Sequence, residues 1–261
     1  MRIAALPFAL LLALSPAARA FDEHIVALWH LDDGAGDTAI DAGPWGDDLG
    51  FRHYPLASSF PVWRQNGCQG GAVDFARHDQ ESGGYLSSSA SIAFPQNELT
   101  IELWVATTTR PYGVLFSAGS NQLELSLDDH GAPRFFVGNQ TTWSNPAVSA
   151  FPVDDGYWHQ VAGTYDGATL RIYVDGVQRG SEPYTATIAT LPGFYVGGRP
   201  QAKFVDGAID EVRLSDVARD AQSIADAWDG LRLLCPEPNA ALSGAGAIAA
   251  LARMRRRRPR G

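Results

Sequence analysis

Apolar and polar residues along this chain trade places with a period of two, in short runs broken by glycine and aspartate. Leu99 to Ala106 reads LTIELWVA and puts Ile101, Leu103 and Val105 on one side, Glu102 and Trp104 on the other. Such alternation marks a strand with one face buried and one wet. Trp158 to Ala162 and Leu170 to Val174 alternate in the same way around the polar segment Asp166-Gly167-Ala168-Thr169, and Asp175-Gly176 follows. Asp-Gly supplies the positive φ angles of tight reversals, so Gly156 to Gly176 predicts a hairpin entering a second hairpin. Further strands are predicted at Ile25 to Leu31, Gly71 to Phe75, Gly84 to Leu86, Val114 to Ser117, Gln122 to Leu127 and Arg134 to Val137. Phe194 to Gly197 and Gly207 to Leu214 complete the set. The stretch from Phe51 to Gly71 reads as a long aromatic-rich loop with one short strand. One helix is expected, Asp216 to Trp228, with Val217, Ile224, Ala225 and Trp228 at near-helical spacing and Ser215 or Asp216 as its cap. Short strands, frequent turns and almost no helical periodicity predict one all-β antiparallel sandwich and exclude a parallel α/β fold.

The two ends follow other rules. Arg2, the apolar run Ile3 to Leu14 and the small-x-small site Ala18-Arg19-Ala20 have the layout of a secretory signal peptide over residues 1–20. A membrane anchor is the competing reading, but the apolar run is short and the cleavage site fits processing. Residues 232–261 contain Cys235-Pro236-Glu237-Pro238, a small apolar run from Ala240 to Ala252, and the basic cluster Arg255 to Arg258. That order resembles the PEP-type C-terminal sorting signals of bacterial exported proteins. The resemblance implies recognition by a membrane protease of the exosortase kind, or anchoring. Thirteen helical residues, Ala240 to Ala252, would cover roughly 20 Å against a hydrocarbon core of about 30 Å, so the span is marginal. A basic tail that binds nucleic acid or acidic lipid is the alternative, and a signal peptide argues against nucleic acid.

Charge is distributed to match. Of 20 basic and 29 acidic residues, Arg2 and Arg19 lie in the leader and six arginines with Glu237 lie beyond Cys235, leaving Phe21 to Cys235 with 12 basic and 28 acidic residues, net −16. A domain this acidic repels nucleic acid and anionic membranes. Cys68 and Cys235 are the two cysteines. An exported chain permits their pairing, while the position of Cys235 beside the tail equally permits a role there.

Four segments carry a family resemblance. They are Ala27 to Gly36 with Asp41-Ala42-Gly43; Gly71 to Phe75 followed by Leu99 to Val105; Trp158 to Gly167 with Tyr173 to Gly176; and Gly207 to Arg213. In this order they resemble the laminin-G-like branch of the concanavalin A-like jelly-roll family, over Ala27 to about Trp228 within a domain spanning 21–231. The resemblance implies an antiparallel two-sheet jelly-roll sandwich with one short C-terminal helix. It also implies an extracellular glycan or protein as partner and one structural calcium ion. Calcium takes carboxylate and carbonyl oxygens from irregular loops, so Asp32, Asp41 and Asp210 are the candidate ligands, with Gly43 offering a carbonyl. Turn capping by the same aspartates is the plainer alternative.

Catalytic signals are weaker. Jelly-roll glycosidases of the laminarinase type carry Glu-x-Asp-x-Glu on one strand, and that triplet is absent from this sequence. Glu98 with Glu102 and Glu124 with Asp128 share a strand face without the central aspartate, which leaves Glu102 or Glu124 as the acids of an alternative glycoside hydrolase or lyase. The six histidines are scattered, with no metal-like pair. Trp45, Tyr54, Trp63, Tyr112 and Trp143 fall in Gly/Pro/Asn-rich stretches, and an aromatic ring in such a place offers a face to a sugar or closes the core as a lid. The expectation is therefore a non-catalytic binding domain, exported to a bacterial surface. A structural surface or biofilm protein without a small ligand is a further alternative.

Overall fold

The computed structural model describes residues 22–236 except 56–59, 78, 80, 95–96, 109–111, 120, 186, 189 and 201–202. Residues 1–20, expected to form a signal peptide, and nearly all of the sorting-like tail expected at 232–261 lie outside the described residues. In chain order the strands are β1 (Ile25–Trp29), β2 (Thr38–Ala39), β3 (Leu49–Tyr54), β4 (Val62–Arg64), β5 (Ala72–Phe75), β6 (Gly83–Ala93), β7 (Leu99–Ala106) and β8 (Gly113–Ala118). They continue as β9 (Leu123–Leu127), β10 (Pro133–Val137), β11 (Ala147–Val148), β12 (His159–Tyr165), β13 (Thr169–Val174), β14 (Val177–Pro183), β15 (Thr190–Val196) and β16 (Gly207–Ser215), followed by helix α1 (Ala221–Leu231).

The strands form two antiparallel sheets of eight, a jelly-roll sandwich with one short C-terminal helix. Sheet A runs β14-β13-β12-β7-β16-β5-β4, with β1 also on β16; sheet B runs β11-β10-β9-β8-β15-β6-β3-β2. The core lies between them. Ile101, Leu103 and Val105 from sheet A meet Phe116, Leu123, Leu125, Phe135 and Phe194 from sheet B, all fully buried. The second hairpin turn forms as its sequence demands, with φ of 53° at Asp175 and 74° at Gly176. Gly163, in the middle of β12, has a different reason to be glycine. A Cβ there would lie 2.4 Å from the Phe135 ring of the opposite sheet.

Strand β16 is the pivot of sheet A. Its first residues, Gly207 to Ile209, pair with β5. Its last, Val212 to Ser215, pair with β1 along the same edge, while the other edge follows β7 throughout. The handover falls at a bulge between Asp210 and Arg213, where Glu211 takes a left-handed φ of 50°.

Three expectations change. Leu49–Tyr54 is a strand, so Tyr54 sits at the end of β3 opposite Gly83 and outside the long loop. Its alternation is hidden in sequence by the surrounding glycines and aspartates, although Leu49 and Phe51 both reach the core. The helix begins at Ala221 with Asp220 as cap, its carboxylate accepting from the Ser223 amide at 2.7 Å. Ser215 ends β16, and residues 216–219 first cross the end of β7, where Arg219 N donates to Thr100 Oγ1 at 2.9 Å. Finally, α1 lies on the outer side of sheet A. Glu102 and Trp104, expected on a wet face, are only 3% exposed, and the Trp104 ring packs 6.1 Å from Trp228.

Cys68 and Cys235 form a disulfide 167 residues apart in sequence. Of the two sequence readings, pairing holds, and Cys235 belongs physically to the sandwich.

Candidate functional site

The period-two rule that points Leu123, Leu125 and Leu127 inward turns Glu124 and Ser126 to the outer face of sheet B. Register then draws residues from separate strands into one row. Phe136 lies opposite Glu124, Glu124 opposite Ser117, Ser117 opposite Tyr195, and Tyr195 opposite Ser87, across β10-β9-β8-β15-β6. Arg134, two residues from Phe136, stands opposite Ser126 in the next row.

Glu124 anchors this face. It is 3% exposed, accepts from Tyr112 Oη at 2.7 Å, and pairs with Arg199 at 3.3 Å and Lys203 at 3.6 Å. Burial of a carboxylate is costly unless such partners surround it. Lys203 Nζ also sits 4.1 Å and the Arg134 guanidinium 4.5 Å from the Tyr112 ring centroid. Burial, then the neighbouring Glu124 charge, pushes the Tyr112 phenol up to about 12. Burial draws the Lys203 ammonium below its ordinary value against the pull of Glu124. Arg134 continues the chain of contacts to Phe136 at 5.4 Å, and Phe136 meets Trp143 edge-on at 5.8 Å.

Two polar atoms here lack any protein partner. Ser117 Oγ and Arg134 Nε are buried and unpaired, although most buried polar groups find a hydrogen bond. The face thus combines aromatic edges, charged donors and acceptors, and two buried polar atoms without a hydrogen-bond partner. That is the equipment for holding a polyhydroxylated ring, which needs an apolar surface and directed hydrogen bonds together.

Of the five aromatic candidates, the structure joins Tyr112 and Trp143 through Arg134 and Phe136. The other three are elsewhere. Trp45 lies edge-on to Phe194 at 5.4 Å and Trp63 packs 4.8 Å from Phe51 while its Nε1 donates to Gly36 O at 2.9 Å. Both close the core as lids. Sequence reasoning missed Ser117, Arg134, Phe136, Arg199 and Lys203; the even-numbered positions of Leu123–Leu127 were the available signal for Glu124 alone.

The three candidate calcium ligands hold backbone. Asp41 accepts from Leu28 N at 2.9 Å, Gly43 N at 2.7 Å and Asp47 N at 3.1 Å. Asp210 accepts from Cys68 N at 2.7 Å, Gln69 N at 3.0 Å and its own neighbour Glu211 N at 2.8 Å. Asp32 Oδ1 accepts from Gly71 N. Asp32 and Asp210 therefore clamp one loop, 67–71, and Asp41 clamps another. Burial pushes the Asp210 carboxyl up to about 8 even though its three amide donors favour the anion. Among the described residues, the one trio of His, Cys, Asp or Glu whose ligand atoms fall within 4.8 Å of each other is Asp128, Asp129 and His130, on the β9–β10 turn.

Of the two candidate acids, Glu102 lines the cavity under α1 and Glu124 faces outward from sheet B.

A family model described as the concanavalin A-like lectin/glucanases superfamily matches residues 79–225, more than half the chain. The chain belongs to this superfamily. No curated protein matches it in sequence. Among solved structures, this lectin-like sandwich is similar to the binding domain of Paraclostridial Mosquitocidal Protein 1, at 11% identity and a TM-score of 0.57 over 79% of this chain and 52% of that one. It is also similar to the binding domain of botulinum neurotoxin DC, solved with rat synaptotagmin II, at 10% identity and a TM-score of 0.57 over 80% and 51%. The same neurotoxin domain solved with SialylT gives 12% identity and a TM-score of 0.54 over 80% and 52%. The chain spans about half the length of these structures, and the likeness is one of fold. Among the described residues, no helix is long and apolar enough to cross a membrane.

Proposed function

We propose that this protein is an exported, non-catalytic carbohydrate-binding domain whose glycan lies on the outer face of sheet B. The observation that carries the reading is the pair of unpartnered buried groups, Ser117 Oγ and Arg134 Nε, set beside Glu124, Phe136 and Trp143. The superfamily supports it, as do the fold neighbours, whose structures include a complex with SialylT. A protein ligand has support from the synaptotagmin II complex of the same neighbour, but a row of buried polar groups suits a sugar better than a flat protein contact.

Export by way of residues 1–20, display at a bacterial surface, and recognition of 232–261 by a sorting protease or the membrane belong to the same proposal. Mass spectrometry of the surface protein tests the tail: an intact Arg255 to Arg258 run there refutes cleavage. Calcium at Asp32, Asp41 and Asp210 rests on the family resemblance. The backbone amides already held by these carboxylates support a turn-clamping role, and glycan binding is expected to survive chelation.

A glycan array with the wild type, Trp143→Ala and Arg134→Ala, run with and without chelator, tests the main reading. Binding by the wild type that falls tenfold or more in both folded variants is expected. No glycan bound, or binding unchanged in both, would remove the proposal in favour of a structural role.

A further inference from the structure

A second polar site lies on the opposite side of the molecule, between α1 and sheet A. A cavity of about 580 Å³ opens there, floored by Glu102, Trp104 and Gln160 and walled by α1 and the first residues of β1. The volume is that of a small-molecule site. Its lining includes four carboxylates (Asp22, Glu102, Glu211 and Asp226) against two guanidiniums (Arg213 and Arg219).

Both guanidiniums are already engaged. Arg213 donates from Nε and Nη2 to Glu102 Oε2, the Nε bond at 2.7 Å. Arg219 pairs with Asp22, donates to Ser215 Oγ at 3.1 Å and stands 3.7 Å from Glu102 Oε2. His30 is occupied by Glu211 at 2.8 Å. The cations therefore crowd onto one oxygen of Glu102. Its other oxygen, Oε1, receives only Gln160 Nε2, at 3.4 Å.

Gln160 supplies the independent observation. The residue is 2% exposed, it lines the cavity, and its Oε1 has no partner. Turning the amide over would set that oxygen against the Glu102 carboxylate, so electrostatics fixes the orientation found. A buried acceptor left unmade costs free energy that a donor in the cavity would recover. Glu102 Oε1 and Gln160 Oε1 thus form a pair of acceptors at the cavity floor. Asp226 adds charge at the mouth, and Ile25, Leu28, Ala227 and Leu231 add apolar lining.

We infer that this cavity binds a small organic cation, a primary ammonium on a short apolar stem, with its N–H groups directed to Gln160 Oε1 and Glu102 Oε1. The ammonium provides three donors and no acceptor, matching a floor with acceptors to spare. A neutral alcohol offers a single donor, and a carboxylate would be repelled.

Calorimetric titration of the purified chain with n-pentylammonium, pentan-1-ol and pentanoate tests the inference. Saturable binding of pentylammonium alone is expected. Gln160→Met should weaken it about tenfold, the loss of one hydrogen bond to a charged group, while Ile40→Ala, at an exposed position outside the cavity lining, leaves it unchanged. If Gln160→Met does not fold, Asp226→Lys on the exposed side of α1 must weaken binding instead. Absence of saturable binding, equal affinity for pentan-1-ol, or unchanged affinity in either folded variant overturns the inference. Because the array reads sheet B and the titration reads this cavity, failure of one leaves the other standing.

Discussion

At the scale of single residues, His159 shows how a motif position is held in place. Its Nδ1 meets Asp175 Oδ2 at 2.8 Å and its Nε2 meets Asp155 Oδ1 at 3.0 Å. Desolvation works to lower its pKa, but the Asp175 and Asp155 contacts outweigh it and the net shift is upward. The folded protein then holds a proton that the unfolded chain releases near pH 6.5. The resulting stabilisation is full below about pH 6.5 and is lost as pH rises through the raised folded value. In urea unfolding, the stability gap between wild type and His159→Gln should be wider at about pH 6 than at about pH 9; an equal gap would refute the clamp. Asp210 gives a second test. Above about pH 8, where the carboxyl is ionised, Asp210→Asn keeps its shape but turns one accepting oxygen into a donor facing backbone amides, at a cost of about 1–3 kcal/mol. Faster hydrogen exchange at the Cys68 and Gln69 amides would report it, and unchanged exchange would contradict the role. Asp32 and Asp41 were visible in sequence as loop aspartates, but which amides they hold depends on loops meeting in space.

Elements differ in how plainly the chain announces them. Strands such as β7 and the β12–β13 hairpin were legible because alternation and Asp-Gly punctuation agree locally. Tertiary cover was not legible. Glu102 and Trp104 looked wet because nothing in Leu99 to Ala106 shows that α1, more than a hundred residues later, lies over them. The sheet B site was half legible for the same reason: Tyr112 and Trp143 could be suspected as loop aromatics, whereas Ser117, Arg134 and Glu124 converge only through the pairing of β8, β9 and β10. Sheet-to-sheet packing explains one motif residue outright. Gly163→Ala would push a methyl into the Phe135 ring, and overpacking of this kind costs about 1–3 kcal/mol. Gly230 is the contrast, since a Cβ there meets nothing within 4 Å. Gly230→Ala, in the last turn of α1, should stabilise by up to about 1 kcal/mol through helix propensity. Thermal unfolding of the two variants should shift in opposite directions, and a common shift would discount the packing argument.

At the scale of the whole molecule, the C-terminal segment is fastened back onto the sandwich. The disulfide joins Cys68, within the loop clamped by Asp32 and Asp210, to Cys235, just beyond α1. The helix contributes one fully buried side chain, Ile224, packed with Ala162 and Tyr173. A helix of 11 residues is marginal alone, so its stability rests on that contact, on the Trp104–Trp228 pair and on the crosslink. The covalent loop encloses β5 to α1, and closing a loop of that size restricts the unfolded chain strongly. Replacing both cysteines by serine should therefore lower unfolding free energy by about 2–5 kcal/mol. Beyond that global loss, α1 and its cavity also lose the crosslink that fastens them locally, whereas the sheets retain their own core. Hydrogen exchange should quicken in Ala221–Leu231 and at Gln160 well before it does in β9 or β12. If exchange instead accelerates uniformly across both sheets, the crosslink stabilises the sandwich as one unit, and the cavity beneath α1 is no softer than the core it covers.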